Sequence, residues 1–140
     1  MSSAAFNDFN RGIIEEFRAR GGTVTGVFEG APMVLITHTG ARSGERRTTP
    51  LVHTIDGNRV VIIASMGGAP THPAWFHNIK TNPRVTVELG TEAFEADAEI
   101  YEDGPEHDRL FARQAALMPN FAEYQAKTDR VIPVVALTRV

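Results

Sequence analysis

Glycines, hydroxyl side chains and arginines are concentrated between residues 39 and 50, in the run TGARSGERRTTP. Glycine lets backbone N–H groups approach an anion closely, and the planar guanidinium of arginine matches phosphate oxygens in two-point contacts. The spacing differs from that of a Walker loop, which also requires a lysine that this run lacks. We therefore predict a site for a small anionic group, with a solvated polar hairpin loop as the alternative.

A second cluster, Ser65–Pro70, follows an apolar run that is typical of a strand. Its two glycines and a small alanine leave space for a planar ring to lie against the backbone. The glycines do not have the spacing of a dinucleotide-binding fingerprint, in which they open a long helix. The alternative interpretation is a flexible loop.

A third cluster, His72–Asn78, reads HPAWFHN and contains Trp75, the one tryptophan of the chain. It could contact a ligand. The alternatives are that Trp75 fills the core, because large aromatic side chains dominate core burial, and that Asn78 forms hydrogen bonds at a helix end.

The sequence predicts no metal site. His72 and His77 lie five residues apart, whereas two ligands on one helical face are four apart. His38 and His53 fall on separate predicted strands. The chain has no cysteine, which excludes disulfides and thiolate ligands. A hydrolase triad is also disfavoured, because Ser43 and Ser65 lack the strand–elbow–helix context of a nucleophilic serine.

These clusters must be positioned by a mainly antiparallel fold. Residues 1–22 are predicted to contain an amphipathic helix, Ala4–Arg20, with an apolar stripe of Phe6, Phe9, Ile13 and Phe17, and residues 23–140 a single domain. Short turns predict five or six antiparallel strands closed into a barrel with flanking helices. The predicted strands are Met33–His38, Arg47–Ile55, Arg59–Ala64, Arg84–Leu89, Phe94–Ile100 and Ile132–Arg139. The predicted helices are Ala74–Lys80, Glu106–Leu117 and Phe121–Lys127.

Composition excludes several classes of function. The 140 residues carry a net charge of -3, whereas a general nucleic-acid binder is normally basic, so we expect no nucleic-acid partner. No apolar run approaches the ~20 residues of a membrane span. With no cysteine and no signal-peptide pattern, we expect a cytoplasmic protein, and leave peripheral membrane association open.

Together, the three clusters resemble the deazaflavin (F420)-dependent nitroreductase family. The resemblance rests on Thr39–Leu51, Ala64–Pro70 and His72–Asn78, with support from Asn82-Pro83 and the late segment Tyr124–Pro133. It implies a flavin-reductase-like split β-barrel, coenzyme F420 as cofactor, and an actinobacterial source. Two positions depart from the family pattern: Met66 stands where lysine is frequent, and Phe76 where tyrosine is usual.

The resemblance also implies a set of cofactor contacts. One stretch would hold the phosphate and side chain, a second would lie beside the deazaflavin ring, and a third would contact the cofactor from a helix. The expected residues are Arg42, Ser43, Gly44, Arg47, Thr48, Thr49, Pro50 and Leu51; then Ile63, Ala64, Ser65, Met66, Gly67 and Gly68; then Ala74, Trp75, Phe76, His77 and Asn78.

The resemblance further implies hydride transfer from reduced F420 to an organic acceptor, namely an activated alkene, a quinone or a nitro compound. Phe121 and Tyr124 are expected to contact this substrate. Phe17 is a further candidate, because the phenylalanines of the N-terminal helix could cover a ligand pocket, with a helix that packs over the core of the barrel as the alternative. Because Phe121 has no hydroxyl, Tyr124 is the candidate proton donor, with water or a purely packing role for Tyr124 as the alternatives. Two other functions stay open, an FMN-dependent split-barrel reductase and a non-catalytic F420 carrier. A homodimer is also compatible with this fold.

Overall fold

A single seven-stranded sheet is the centre of the protein. The computed structural model describes residues 3–140, and the surroundings of side chains from residue 7 onward. The strands are β1 (Met33–Thr39), β2 (Arg46–Val52), β3 (Thr54–Asp56), β4 (Arg59–Ile63), β5 (Arg84–Leu89), β6 (Glu92–Tyr101) and β7 (Val134–Arg139). The helices are α1 (Ser3–Ala19), α2 (Ala74–Thr81), α3 (Gly104–Leu117) and α4 (Asn120–Ala126).

The strand order is β2-β1-β5-β6-β7-β4-β3, and every neighbouring pair is antiparallel. The sheet curls into a half-barrel with its helices at the flanks. The predicted fold class, a mainly antiparallel split β-barrel with flanking helices, is therefore confirmed.

The predicted second strand, Arg47–Ile55, is wrong in one respect, because the structure divides it at His53. The N–H of His53 donates to the Pro32 carbonyl at 3.0 Å, and His53 Nδ1 lies 2.9 Å from the same oxygen. His53 lies opposite Pro32 in the register of β1 and β2, and Pro32 has no N–H to donate in return, so the ladder stops at this pair. Strand β3 then joins the opposite edge of the sheet. The sheet consequently has seven strands instead of five or six, and the chain crosses between its two edges at this histidine.

Alternation along the strands produces two apolar faces, as the period of two requires. One face of β4 and β7, with Ile62 and Leu137, packs with α2. The other face, with Val61 and Ala136, packs under α3 and α4. The strands thereby hold α2 and α4 on opposite faces of the sheet.

Helix α1 packs its apolar side near β1. Phe17 is 1% exposed and clusters with Val24, Met33 and Leu35. Phe9 lies at the edge of this contact, with its ring centroid 6.2 Å from that of Phe28. The side chain of Phe6 lies outside the described residues. The alternative in which α1 covers the core is thus the one that the Phe17 contacts support.

Candidate functional site

The turn between β1 and β2 and the first two residues of β2 present two arginines to solvent, and we call this segment, residues 40–47, the arginine turn. Arg42 is exposed, and the Arg47 side chain is 61% exposed and pairs with Glu45 at 3.2 Å. The Gly40 N–H donates to the Glu45 carbonyl at 2.8 Å, and a Cβ on Gly40 would collide with Ser43 Oγ. A glycine at position 40 is therefore required for the tight closure that projects both arginines outward.

Arg46 lies between these residues in sequence but has a different role. Its Nη1 donates to Thr39 Oγ1 at 2.9 Å, and its Nη2 donates to Thr86 Oγ1 at 2.8 Å. These bonds attach the arginine turn to β5. Arg46 is accordingly engaged within the fold, whereas Arg42 and Arg47 point their guanidinium groups to solvent.

A buried histidine connects the arginine turn to α2. His38 is 3% exposed, accepts a hydrogen bond at Nδ1 from Asn78 Nδ2 at 3.1 Å, and donates from Nε2 to Thr49 Oγ1 at 2.9 Å. The other end of the Asn78 amide, Oδ1, accepts from the Ala41 N–H at 2.9 Å. This network joins two of the three predicted cofactor-contacting stretches, residues 42–51 and residues 74–78, at the end of the β1–β2 hairpin.

His38 is neutral in this network. Burial, followed by the positive charges of Arg46 and Arg47, lowers the pKa of His38 to about 4. A neutral imidazole has one donor nitrogen and one acceptor nitrogen, which is what Asn78 and Thr49 require. Protonation would replace the acceptor at Nδ1 with a second donor and break the bond to Asn78.

Helix α2 divides its residues between core and surface. Trp75 and Phe76 are 7% and 1% exposed and belong to the core cluster, so the core interpretation of Trp75 is correct for most of its surface. Ala74 and His77 are exposed, and Asn78 is half-buried in the network described above.

The remaining predicted residues of β2 line the same strand as Arg47. Thr48 Oγ1 lies 2.8 Å from Thr37 Oγ1, and Leu51 packs partly against the core. Thr48, Thr49, Pro50 and Leu51 are all half-buried, which leaves part of each available to a ligand.

The loop after β4, residues 64–72, is the second predicted stretch, and we call it the ring loop. Ala64 and Ser65 are buried at the strand end, and Ile63 is 6% exposed. Met66 has φ of 47°, in the left-handed region that a residue with a side chain rarely adopts, and its side chain is 56% exposed. Gly67 follows with φ of 64° and open space around its α-carbon.

Gly68 joins the ring loop to α4. Its φ is 84°, and a Cβ at this position would lie 2.7 Å from the Tyr124 carbonyl oxygen and 3.1 Å from Lys127 Cβ. In the sequence analysis, Gly68 was predicted to lie beside the deazaflavin ring. The structure shows that its lack of a side chain serves the close approach of loop and helix.

The predicted substrate residues fall into two groups. The rings of Phe121 and Tyr124 meet edge to face with centroids 5.4 Å apart, and Asn120 Nδ2 donates to Tyr124 Oη at 2.9 Å. Phe121 is 4% exposed, whereas Tyr124 is half-buried beside the ring loop. Phe17 lies in a separate cluster below α1 and is not brought together with them.

One residue that contacts the ring loop, Arg130, was not predicted from the sequence as a site residue. Arg130, in the connection from α4 to β7, donates hydrogen bonds to the carbonyls of Ala64, Ser65 and Ala69 at 3.2, 2.8 and 2.8 Å. It also lies 2.8 Å from His72 Nδ1. The late segment that contains Arg130 was recognised by resemblance, but no periodicity connects it to a loop 60 residues earlier.

Comparison with known proteins identifies the family. A family model described as F420H(2)-dependent quinone reductase matches residues 9–139. The chain belongs to the F420H(2)-dependent quinone reductase family.

Relatives of this family support the assignment along most of the chain. An F420H(2)-dependent quinone reductase of Mycobacterium tuberculosis is 38% identical over 126 residues, which cover 88% of this chain and 85% of the relative. A solved F420-H2 dependent reductase, FDR-A, is 39% identical, with a TM-score of 0.70 over 76% of this chain and 93% of that one. A solved domain-swapped dimer is 34% identical, with a TM-score of 0.72 over 97% and 99% of the two chains.

The predicted F420-dependent class is thereby confirmed, and the mycobacterial relative agrees with the expected actinobacterial source. The family description specifies a quinone, one of the three acceptor classes that the sequence predicted. Within residues 3–140, no group of three or more histidine, aspartate or glutamate side chains is arranged to hold a metal ion. No helix in this described part is long and apolar enough to cross a membrane.

Proposed function

We propose that this protein transfers a hydride from reduced F420 to a quinone. The observation that carries the proposal is the match of residues 9–139 to the F420H(2)-dependent quinone reductase family. F420 supplies the hydride chemistry, from the C5 carbon of its deazaflavin ring. The protein binds and orients the two reactants and manages the proton.

The arginine turn fits the anionic part of this cofactor. F420 carries a phosphodiester and carboxylates, and Arg42 and Arg47 are exposed guanidinium groups on a turn that is fixed from behind by His38 and Asn78. Guanidinium groups bind such anions through paired, charge-assisted hydrogen bonds. Arg42 and Arg47 therefore bind the phosphate and its side chain in this proposal, with Ser43, Gly44 and Thr48 adding polar contacts.

The ring loop fits the planar deazaflavin ring of F420. It lies at the end of β4, where Ser65 and Ala64 are fixed and Met66 and Gly67 are exposed. An exposed apolar side chain beside an open glycine offers a surface against which a flat ring can pack. Ile63, Gly68 and the α2 residues from Ala74 to Asn78 support this surface from the sheet and from the adjacent helix.

Tyr124 is the proposed proton donor. Its hydroxyl oxygen already accepts a hydrogen bond from Asn120, so its own hydrogen is available to a substrate oxygen. Phe121 supplies packing that holds the Tyr124 ring at a fixed angle. Since a quinone gains two electrons and two protons on reduction, a hydride and one proton from Tyr124 complete the change.

A homodimer is the proposed assembly. It is supported by the likeness of 97% of the chain to a solved domain-swapped dimer at 34% identity. Sedimentation of the purified protein at two concentrations would measure it directly.

The function is tested by following F420H2 oxidation spectrophotometrically with a soluble quinone as acceptor. We expect turnover that saturates in quinone and requires both reactants. In parallel assays, FMNH2 replaces F420H2 as the hydride donor, and a nitroarene replaces the quinone as the acceptor. Tight F420 binding without quinone-dependent oxidation would indicate a carrier, and turnover with FMNH2 alone would indicate an FMN-dependent reductase.

A further inference from the structure

Arg130 is half-buried and makes an unusual set of contacts for a charged side chain. Its Nε donates to the Ala69 carbonyl and its Nη2 donates to the Ser65 carbonyl, both at 2.8 Å. Its Nη1 donates to the Ala64 carbonyl at 3.2 Å and to His72 Nδ1 at 2.8 Å. One rigid guanidinium thus contacts the beginning, the middle and the end of the ring loop.

No carboxylate among residues 7–140 forms an ion pair with Arg130. Burial lowers the pKa of its guanidinium from the ordinary value, and its hydrogen-bond partners are three carbonyl oxygens and the ring nitrogen of His72. A partly desolvated charge has an energetic cost when it has no counterion. If Arg130 served only to stabilise the fold, an acidic partner for it or an apolar residue in its place would be at least as stabilising.

The contacts of Arg130 act together with those of Gly68. Gly68 seats the ring loop on α4 within van der Waals contact of the Tyr124 backbone. Arg130 follows α4 in the chain and bonds to the loop at Ala64, Ser65, Ala69 and His72. Two separate sets of contacts, those of Gly68 and those of Arg130, therefore fix the position of the ring loop relative to the proposed proton donor.

We propose that Arg130 is a positioning residue for F420, which fixes the ring loop at the angle needed for the deazaflavin ring and for Tyr124. This inference rests on the proposed function. Arg130 need not touch the cofactor, because it acts through the carbonyls of the loop. Lysine could not replace it, since a single ammonium cannot reach four acceptors in one plane.

His72 makes this positioning sensitive to pH. Its Nδ1 accepts from Arg130, so this nitrogen must be unprotonated. Burial first, and then the nearby charges of Arg130, His77 and Lys80, lower the pKa of His72, against a smaller raising effect of Glu102. The bond is therefore present above the ordinary histidine pKa of about 6.5. It is lost as the pH falls through the lower pKa of the folded protein.

The first test compares Arg130→Met with Arg130→Lys, and uses Arg11→Met as the control because Arg11 forms only a 67% exposed pair with Asp8. F420 affinity is measured by titration at pH 7.5, and amide hydrogen exchange of residues 64–72 is measured without cofactor. We expect Arg130→Met to weaken F420 binding about tenfold or more, equivalent to ~1.4 kcal/mol, and to speed loop exchange. Arg130→Lys should recover less than half of the lost affinity, and Arg11→Met should stay within about twofold on the same scale.

The second test uses His72→Asn, whose Oδ1 can replace Nδ1 as an acceptor but does not titrate. The ratio of F420 affinities between this variant and the wild type removes the titration of the cofactor itself. We expect a ratio near one at pH 7.5 that rises in favour of His72→Asn as the pH is lowered through the titration of His72, which is followed by NMR in the same samples. If Arg130→Met does not fold, this ratio decides, and a ratio that is constant with pH overturns the proposal.

The outcomes separate this inference from the proposed function. Wild-type affinity and exchange in a folded Arg130→Met overturn the positioning role while the wild type still oxidises F420H2. A wild-type protein that binds no F420 overturns both. Faster loop exchange with weakened affinity, in a variant whose thermal unfolding remains cooperative, supports the positioning role.

Discussion

Asn78 on α2 donates a hydrogen bond from Nδ2 to Nδ1 of the buried His38 on β1, at 3.1 Å. Both groups have a second bond, from the Ala41 N–H to Asn78 and from His38 to Thr49. A residue that sequence resemblance assigned to cofactor contact is therefore also the residue that connects α2 to the arginine turn. We therefore expect the affinity for an anionic ligand at this turn to depend on His38, which is only 3% exposed.

Replacement of His38 by phenylalanine tests this connection. It removes both bonds and leaves the Asn78 amide and Thr49 hydroxyl without their partner, so we expect the free energy of unfolding in urea to fall by about 1–3 kcal/mol. F420 affinity should fall as well, because the arginine turn loses its anchor. Thr49→Val removes one bond only and should cost about 1 kcal/mol. Equal stability of His38→Phe and wild type would contradict the network.

The pH dependence of stability is a second prediction. Because burial and the charges of Arg46 and Arg47 lower the pKa of His38 to about 4, the folded state favours neutral His38 more than the unfolded state does. This contribution is complete above pH ~6.5 and is lost as the pH falls through about 4. We expect the free energy of unfolding to decline between these values, and the decline to be smaller in His38→Gln. Parallel curves for the two proteins would argue against a neutral buried His38.

Arg47 and Arg46 provide a matched pair of adjacent arginines. Arg47→Ala should weaken F420 binding by roughly 1.5–3 kcal/mol, the range for hydrogen bonds to charged groups, with little effect on folding because its side chain is 61% exposed. Arg46→Ala should lower the melting temperature, since it removes the bonds to Thr39 and Thr86, and should change F420 affinity less than Arg47→Ala does. Isothermal titration and thermal denaturation of both variants measure this difference. A larger loss of F420 affinity in Arg46→Ala than in Arg47→Ala would contradict the assignment.

Gly68 and Gly67 form a second matched pair. Both have positive φ, so alanine at either position has a conformational cost of about 1–2 kcal/mol. A Cβ at Gly68 would also lie 2.7 Å from the Tyr124 carbonyl oxygen, whereas nothing lies within 4 Å of a Cβ at Gly67. We expect Gly68→Ala to be the less stable variant by a further ~1–3 kcal/mol in chemical denaturation, the usual cost of overpacking. Similar stabilities would mean that loop and helix can separate without a penalty.

Tyr124→Phe separates proton donation from packing. The substitution removes the hydroxyl and retains the ring that meets Phe121 edge to face. If this hydroxyl supplies the proton in the rate-limiting step, quinone-dependent oxidation of F420H2 in a single turnover should slow ~10²-fold or more, the usual scale for general acid catalysis. F420 affinity should change little. Near-normal single-turnover rates would assign the proton to water.

Much of the fold could be predicted because burial on one face leaves a period-two pattern in the strands. Arg84–Leu89 was predicted with the bounds that the structure has, since Val85 and Val87 are fully buried and Arg84 is exposed. The break at His53 was not predictable in this way. The residues around His53 are suitable for a strand, and the β1–β2 ladder stops where His53 meets Pro32, which has no N–H to donate. Hydrophobic alternation does not report which residue lies opposite.

The site was predictable to the extent that its residues are consecutive. The arginine turn and the ring loop are visible as short runs with the composition of ligand-binding loops. Arg130 and His38 were not identified, because each acts through partners far away in sequence, with Arg130 bonded to residues 58 to 66 positions earlier. Gly68 was recognised as important, but its reason for being glycine is the approach of α4, which only the folded chain shows.

The most direct test of the account is an equilibrium titration of the purified protein with F420 and, separately, with FMN, at low and at moderate salt. We expect tight F420 binding that weakens as salt rises, because the exposed arginines are screened over ~10 Å at 0.1 M, and much weaker binding of FMN. Tight binding of FMN with no detectable binding of F420 would contradict an F420-dependent function.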